Sequence, residues 1–384
     1  MDTPALNVEE GRSLPKWIRI VAVVGLLYLF LVGVKSLESG IKAFGADASE
    51  RLFSNISNPV AGLFAGVLAT VLVQSSSVTT STIVGLVGGG VLPLSSAVPM
   101  IMGANIGTTV TNTLVSVGHI RQGQEFKRAF AGATVHDFFN LLTVAIALPL
   151  ELATGFLSKS AAALTEVFRG QDALSGAAPS SSPIKEAVGY PVDVIKDALE
   201  GAGMGTGVEG TLLLVVGIGL IFVALAMITR NMKMVMAGRI EQSLNTMLDK
   251  GAGIGAMVLG MAITVAVQSS SITTSILIPM VGAGILTLKN AFPVTLGANV
   301  GTTITALLAS VAAESPEGLT IALVHTLFNL FGILVFYPLP AMRNIPIRLA
   351  VGLAELAQKN KGWVLGYVVG LFVVLPLATI AVLR

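Results

Sequence analysis

Gln74 to Val117 reads QSSSVTTSTIVGLVGGGVLPLSSAVPMIMGANIGTTVTNTLVSV, and Gln268 to Val311 reads QSSSITTSILIPMVGAGILTLKNAFPVTLGANVGTTITALLASV. Aligned without a gap at an offset of 194 residues, 24 of the 44 positions are identical. Seventeen of the identities fall on Gln, Ser, Thr, Gly, Asn and Pro, so shared apolar composition does not explain them. A fixed-period self-similarity of this kind redefines every later assignment. It continues at an offset of 189, where His136-Asp-Phe-Phe-Asn140 matches His325-Thr-Leu-Phe-Asn329 and Pro149 matches Pro338. The chain is therefore two homologous halves.

The surroundings of the repeat are apolar. Of 384 residues, 53% are hydrophobic and 11% charged, and mean hydropathy is +0.84. So few charges cannot cover a water-exposed surface of this size. Ile18 to Val34, Thr211 to Ile228 and Trp363 to Leu383 each approach the ~20 residues that span a hydrocarbon core. These runs predict an all-α membrane protein. Met1 to Lys16 has no apolar core followed by a small-residue cleavage site, so no removable signal peptide is expected. Cysteine is absent, which excludes disulfides, thiolate metal sites and cysteine catalysis. A net charge of +2 without a basic, aromatic-interleaved run gives no reason to expect nucleic acid as a partner. There is no Walker A sequence and no dinucleotide glycine fingerprint.

Each half is predicted to contain a full helix (17–37; 211–228), a re-entrant hairpin bent at QSSS, a helix interrupted at GAN(I/V)GTT, and a helix bearing His-x-x-Phe-Asn. The hairpin follows from length. Val60 to Val73 would reach about 21 Å at 1.5 Å per residue, short of a ~30 Å core. The expected divisions are an N-terminal cytoplasmic segment 1–16, a first repeat 17–157, an extramembrane linker 158–208, a second repeat 209–342 and a C-terminal segment 343–384 with a final membrane helix. The linker, which holds Ala-Pro-Ser-Ser-Ser-Pro, is expected to carry one short helix at Pro191 to Glu200. Lys16, Arg19, Arg121, Lys127, Arg128, Arg230, Lys233, Arg239 and Lys250 are assigned to the inner side, and the acidic loop Glu314 to Glu317 to the outer side. The two repeats are then inverted.

Inverted repeats with broken helices build midplane sites in many secondary transporters. At a break, half-helix N-termini offer free N–H groups and a positive dipole end to an anion, while unwound carbonyls suit a cation. The hydroxyls of Ser75, Ser76, Ser77, Thr79 and Thr80, with Ser269, Ser270, Ser271, Thr273 and Thr274, can donate to oxyanion oxygens. Their lone pairs, with the amide oxygens of Gln74, Gln268, Asn105 and Asn299, are hard ligands for an alkali cation. Gly103, Gly107, Gly297 and Gly301 permit close backbone approach. Neither motif contains Lys or Arg. A desolvated anion there lacks a protein cation, and bound sodium can supply the charge. Packing is the competing reading for a lone Ser-Ser-Ser, and two matched copies weigh against it. His136 and His325 are read as buried hydrogen-bonding groups. Asp137, whose mate at 326 is Thr, is an ionisable group in an apolar span and so a functional candidate.

The paired QSSS motifs, GANIGTTVTNT at 103–113 and FKRAFAGATVHDFFN at 126–140 resemble the type II sodium-dependent phosphate cotransporters. The similarity covers residues 17–156 and 209–383 and is that of a compact bacterial member without long cytoplasmic tails. It implies a sodium:inorganic phosphate symporter of the plasma or inner membrane, without catalytic residues or cofactor, whose partners are phosphate, sodium ions and membrane lipid. On this reading phosphate meets Gln74, Ser75, Ser76, Ser77, Gln268, Ser269, Ser270 and Ser271. Sodium, the one metal expected, meets Thr79, Thr80, Asn105, Thr108, Thr109, Asp137, Thr273, Thr274, Asn299, Thr302 and Thr303. Animal members carry a cysteine-containing, glycosylated central loop, and that covalent constraint is absent here. The rivals are a sodium-coupled carrier of sulfate or a dicarboxylate, and an ion channel.

Overall fold

The computed structural model describes residues 15–44, 58–174, 183–236, 253–313 and 315–383. The expectations for 1–14, for Ala-Pro-Ser-Ser-Ser at 178–182, for Arg239 and Lys250, and for Glu314 lie outside them. The described residues form helices and short connections. In chain order the helices are α1 Lys16–Ala43, α2 Pro59–Val73, α3 Ser76–Gly88, α4 Leu94–Gly107, α5 Val110–Val117, α6 Gln124–Thr154 and α7 Phe156–Leu174. There follow α8 Pro183–Gly201, α9 Thr206–Met236, α10 Ile254–Val267, α11 Ser270–Gly282, α12 Leu288–Ala312, α13 Pro316–Phe336, α14 Pro340–Lys359 and α15 Gly362–Leu383. Among the described residues six, α1, α6, α9, α12, α13 and α15, are long and apolar enough to cross a membrane.

Local chemistry sets the breaks. Asn58 caps α2, accepting from the N–H groups of Val60 (2.9 Å) and Ala61 (3.4 Å), with Pro59 in the first turn where no N–H is required. The helix stops at Gln74, which turns left-handed at φ 56°, and Ser75 then caps α3 through Val78 N–H at 3.3 Å. The second half repeats this at Gln268 (φ 57°) and Ser269, which accepts from Ile272 N–H at 3.4 Å. Among the described residues these two glutamines are the only non-glycines in the left-handed region.

The repeat is also a repeat of contacts. A Cβ on Gly66 would run into the carbonyl of Met100, and one on Gly260 into that of Val294, exactly one offset further on. Gly103 lies against Leu63 O and Gly297 against Met257 O in the same relation. Along the helices the contact partners rise together in number, from Gly62 near Ser96 to Gly66 on Met100 and Val67 on Gly107, and from Gly260 on Val294 to Thr264 on Gly301, so α4 runs parallel to α2, and α12 to α10. The chain must therefore turn back through α3 and α11, which makes α2–α3 and α10–α11 helical hairpins. The glycines serve this close packing of backbone on backbone.

The halves are interlocked. In the first, Gly88 on α3 packs on Gly318 of α13; in the second, Gly282 on α11 packs on Ala129 of α6, the position matching 318. The amphipathic α7 lies on α13, with Thr165 and Thr320 hydroxyls 2.9 Å apart, and α14 lies on α6. Thus each His-x-x-Phe-Asn helix is held by the opposite half. Between α1 and α9, Gly33 meets Gly217 and Gly40 meets Gly210. Numbers rise on one as they fall on the other, so the pair is antiparallel.

Three expectations need correction. The GANVGTT helix of the second half is continuous: α12 runs from Leu288 to Ala312 without a break. In the first half the interruption is only a tightening at Thr108 and Thr109, both right-handed, with Thr109 N–H bonded to Ile106 O at 3.4 Å. Glycine does not unwind these segments, because Gly103 and Gly297 are clamped against a neighbouring backbone. The region between the halves carries two 19-residue helices, α7 and α8, where one short helix was expected. Pro191 sits inside α8, whose apolar positions Val188 and Val192 are buried. That amphipathic burial outweighs the proline.

Candidate functional site

Both QSSS turns line one cavity of about 290 Å³. Its walls are Gln74 to Ser77 from the first half, Gln268 to Ser271 from the second, and Val73, Val78, Phe222, Leu225, Ala226 and Thr229. No charged side chain is among them. All eight residues expected to meet phosphate are thus brought together. The N-termini of α3 and α11 both open on the cavity at Ser76 and Ser270. Two positive dipole ends with free N–H groups therefore face one space, an arrangement that favours an anion. By the ~30 Å³ that a water occupies in the liquid, there is room for a small hydrated oxyanion.

The glutamine side chains are held alike. Gln74 donates to Val71 O at 2.5 Å and accepts from Thr111 Oγ1 at 3.0 Å. Gln268 donates to Val265 O at 2.6 Å and accepts from Thr305 Oγ1 at 2.8 Å. Gln268 and Thr305 are buried, whereas Gln74 is exposed.

The residues expected to meet sodium divide into three groups. Thr79, Thr80, Thr273 and Thr274 stand in the first turns of α3 and α11. Thr79 and Thr273 donate to the carbonyls of Ser75 (3.1 Å) and Ser269 (3.3 Å), and Thr80 to that of Ser77 (3.4 Å). Thr274 donates across the interface to Asn112 Oδ1 at 2.8 Å. Thr108, Thr109, Thr302 and Thr303 likewise donate one turn back, to Ala104, Ile106, Asn299 and Val300 carbonyls at 2.6–2.9 Å. A hydroxyl whose proton is committed in this way keeps its lone pairs as acceptors.

Asn105 and Asn299 lie instead in a buried asparagine network. Asn140 Nδ2 donates to Asn105 O at 2.9 Å, and Asn329 Nδ2 to Asn299 O at 3.2 Å. Asn299 Nδ2 donates to both Asn140 Oδ1 and Asn329 Oδ1 at 2.9 Å, joining the halves. His325 Nε2 is 3.3 Å from Asn105 Oδ1; His136 faces Asn299 without closing a bond of good geometry. Asp137 forms the third group. It is fully buried, and Tyr367 Oη donates to its Oδ2 at 2.8 Å, with Thr113 Oγ1 at 3.5 Å.

Sequence reasoning had not placed Thr111, Thr305, Asn112, Asn140, Asn329 or Tyr367 in the site. Thr111 and Thr305 are identical within the aligned block, and Asn140 and Asn329 close the His-x-x-Phe-Asn motif, so the repeat contained that signal. Tyr367 lies beyond the repeat and carried none.

Two homologous halves, interlocked around a shared polar and uncharged cavity, define a multi-pass α-helical membrane protein of the carrier kind. The family model described as Na+/Pi-cotransporter matches residues 29–168 and 220–356, and the chain belongs to that family. It is 33% identical to the sodium-dependent phosphate transport protein 2A of Rattus norvegicus, over 97% of this chain and 69% of that protein. It is also 33% identical to the transport protein 2B of Homo sapiens, over 94% and 64%. No solved structure matches the chain.

Proposed function

We propose that the chain is a sodium:inorganic phosphate symporter that imports phosphate on the sodium gradient across a plasma or inner membrane. The observation that carries this reading is the closure of both QSSS turns, each at a helix N-terminus, on one cavity without a charged wall. A phosphate there keeps hydrogen bonds but gains no protein cation. Sodium supplies the missing charge, so ion coupling is a condition of anion binding. Phosphate meets Gln74 to Ser77 and Gln268 to Ser271; sodium meets the back-bonded threonines, the GAN asparagines and Asp137. Neither a cofactor nor a catalytic residue enters this scheme.

The transport units are the repeats 17–157 and 209–342, with 158–208 as an extramembrane linker and 343–384 as the C-terminal segment. They are inverted, the α2–α3 and α10–α11 hairpins entering the membrane and returning. The antiparallel α1 and α9 support this, since equivalent helices related by an axis in the membrane plane run oppositely. Lys16, Lys127, Arg128, Arg230 and Lys233 mark the inner side.

Purified protein in liposomes should take up labelled phosphate only with an inward sodium gradient. A tenfold gradient supplies about 1.4 kcal/mol per ion. Equal uptake in potassium would sink the coupling. Equal competition by sulfate would transfer the site to another oxyanion, and mere equilibration would make the chain a channel.

A further inference from the structure

The last helix holds a polar feature that the phosphate cavity does not use. Tyr367, on α15, spends its hydroxyl on Asp137 Oδ2 at 2.8 Å, while Asp137 Oδ1 is buried without a partner. The tyrosine ring is boxed by Phe130, Phe138 and Phe372, with centroids 6.4, 6.3 and 6.0 Å away. Tyr367 also lines a second, open cavity of about 530 Å³ with Leu353, Asn360, Gly362, Trp363 and Gly366, and Asp137 does not reach that cavity. One aromatic side chain therefore stands between an open space and a carboxylate with a free oxygen.

The helix is built irregularly at this point. Gly370 to Val374 form a π-helical turn inside α15, and Phe372 within it packs at right angles on Tyr367. Such turns recur at functional sites and at helix kinks. Neither residue has a like partner in the aligned repeats: position 326, which matches Asp137, is Thr, and Tyr367 lies beyond the matched blocks. Both lie on one side of the pseudosymmetry.

We propose that this cavity is an ion vestibule and that Tyr367 is its gate, the ring being the plug and the hydroxyl the latch on Asp137. The inference rests on the reading that Asp137 serves sodium. A buried carboxylate demands a countercharge. A cation arriving at the free Oδ1 neutralises the carboxylate that accepts the Tyr367 hydroxyl and weakens that charge-assisted bond, so occupancy and gate position are linked. The vestibule opens beside Lys361 and the Lys127–Glu355 pair, at the end of the molecule assigned to the inner side.

The chain has no cysteine, so single cysteines report without background. Thr113→Cys places a thiol beside Asp137, behind the gate, and Trp363→Cys places one in the vestibule. Full-length protein in proteoliposomes is treated with a small cationic methanethiosulfonate. With Tyr367 present, Thr113→Cys should react at least tenfold more slowly than in the Tyr367→Ala background, and sodium, compared with potassium, should slow the latter. Trp363→Cys should react rapidly in both backgrounds, which also reports that each is folded. If Tyr367→Ala does not fold, Tyr367→Phe carries the test, with reaction at Thr113→Cys about threefold faster than with Tyr. Equal rates with and without the gate, or an unreactive Trp363→Cys in folded protein, overturn the proposal. Labelling does not require transport. A wild type that fails sodium-driven phosphate uptake would refute the function while leaving the gate contrast standing.

Discussion

Thr305 Oγ1 donates to Gln268 Oε1 at 2.8 Å across 37 residues, and Thr111 does the same for Gln74 at 3.0 Å across the same interval. Each bond ties a QSSS turn to the helical segment that follows the GAN motif of its own half, α5 in the first and the continuous α12 in the second. The two differ in environment, since Thr305 is 1% exposed and Gln74 faces an open surface.

Water can replace the lost donor at Gln74 but not at Gln268, where an orphaned buried acceptor costs about 1–3 kcal/mol. Thr305→Val is expected to weaken apparent phosphate affinity about tenfold or more, and Thr111→Val by less than about threefold. Thr305→Ser should restore it. Uptake titrations on the four proteins check this, and equal losses at the two sites would contradict the burial argument.

Both glutamines line the one cavity, so Gln74→Ala and Gln268→Ala should each abolish uptake while the protein remains folded and inserted. Ser76→Ala and Ser270→Ala should show graded losses. Uptake near normal after either glutamine change would reduce that turn to packing.

Asp137→Asn keeps the shape and one acceptor for Tyr367 but removes the charge. The variant should insert normally, require several-fold more sodium for half-maximal uptake, and bind phosphate more weakly at fixed sodium. The second effect follows from reciprocity of the coupling free energy. Superimposable sodium titrations of variant and wild type would assign Asp137 to structure alone.

A valine at Gly103 or Gly297 would overlap the carbonyl of Leu63 or Met257, which belong to backbone and cannot step aside. Overpacking of this kind costs about 1–3 kcal/mol or more. Either change should lower the thermal unfolding temperature of detergent-solubilised protein clearly. Gly219→Val, with nothing within 4 Å, should not. Similar melting of all three would show that these contacts bear no strain.

The repeat was legible because it is written in polar residues that a bilayer-embedded chain does not accumulate by composition alone. QSSS located the two turns and the residues that share one cavity in advance. The short helices ending at Gln74 and Gln268 match the chain reversals expected there. The interruption expected at GAN(I/V)GTT was misread, because a glycine-rich polar run that breaks a helix and one whose glycines admit a neighbouring backbone look the same in one dimension.

The amino-acid sequence by itself determined the duplicated halves, the membrane environment and the chemical character of the site, since these depend on composition, period and spacing along the chain. Only the tertiary structure decided which half holds which. Gly88 seats on Gly318 and Gly282 on Ala129, and Asn299 bonds to Asn140 across the interface. It also set Tyr367 against Asp137, 230 residues away. Such pairings are fixed by shape and by the demand that buried polar groups find partners, and neither leaves a periodic trace in the order of residues.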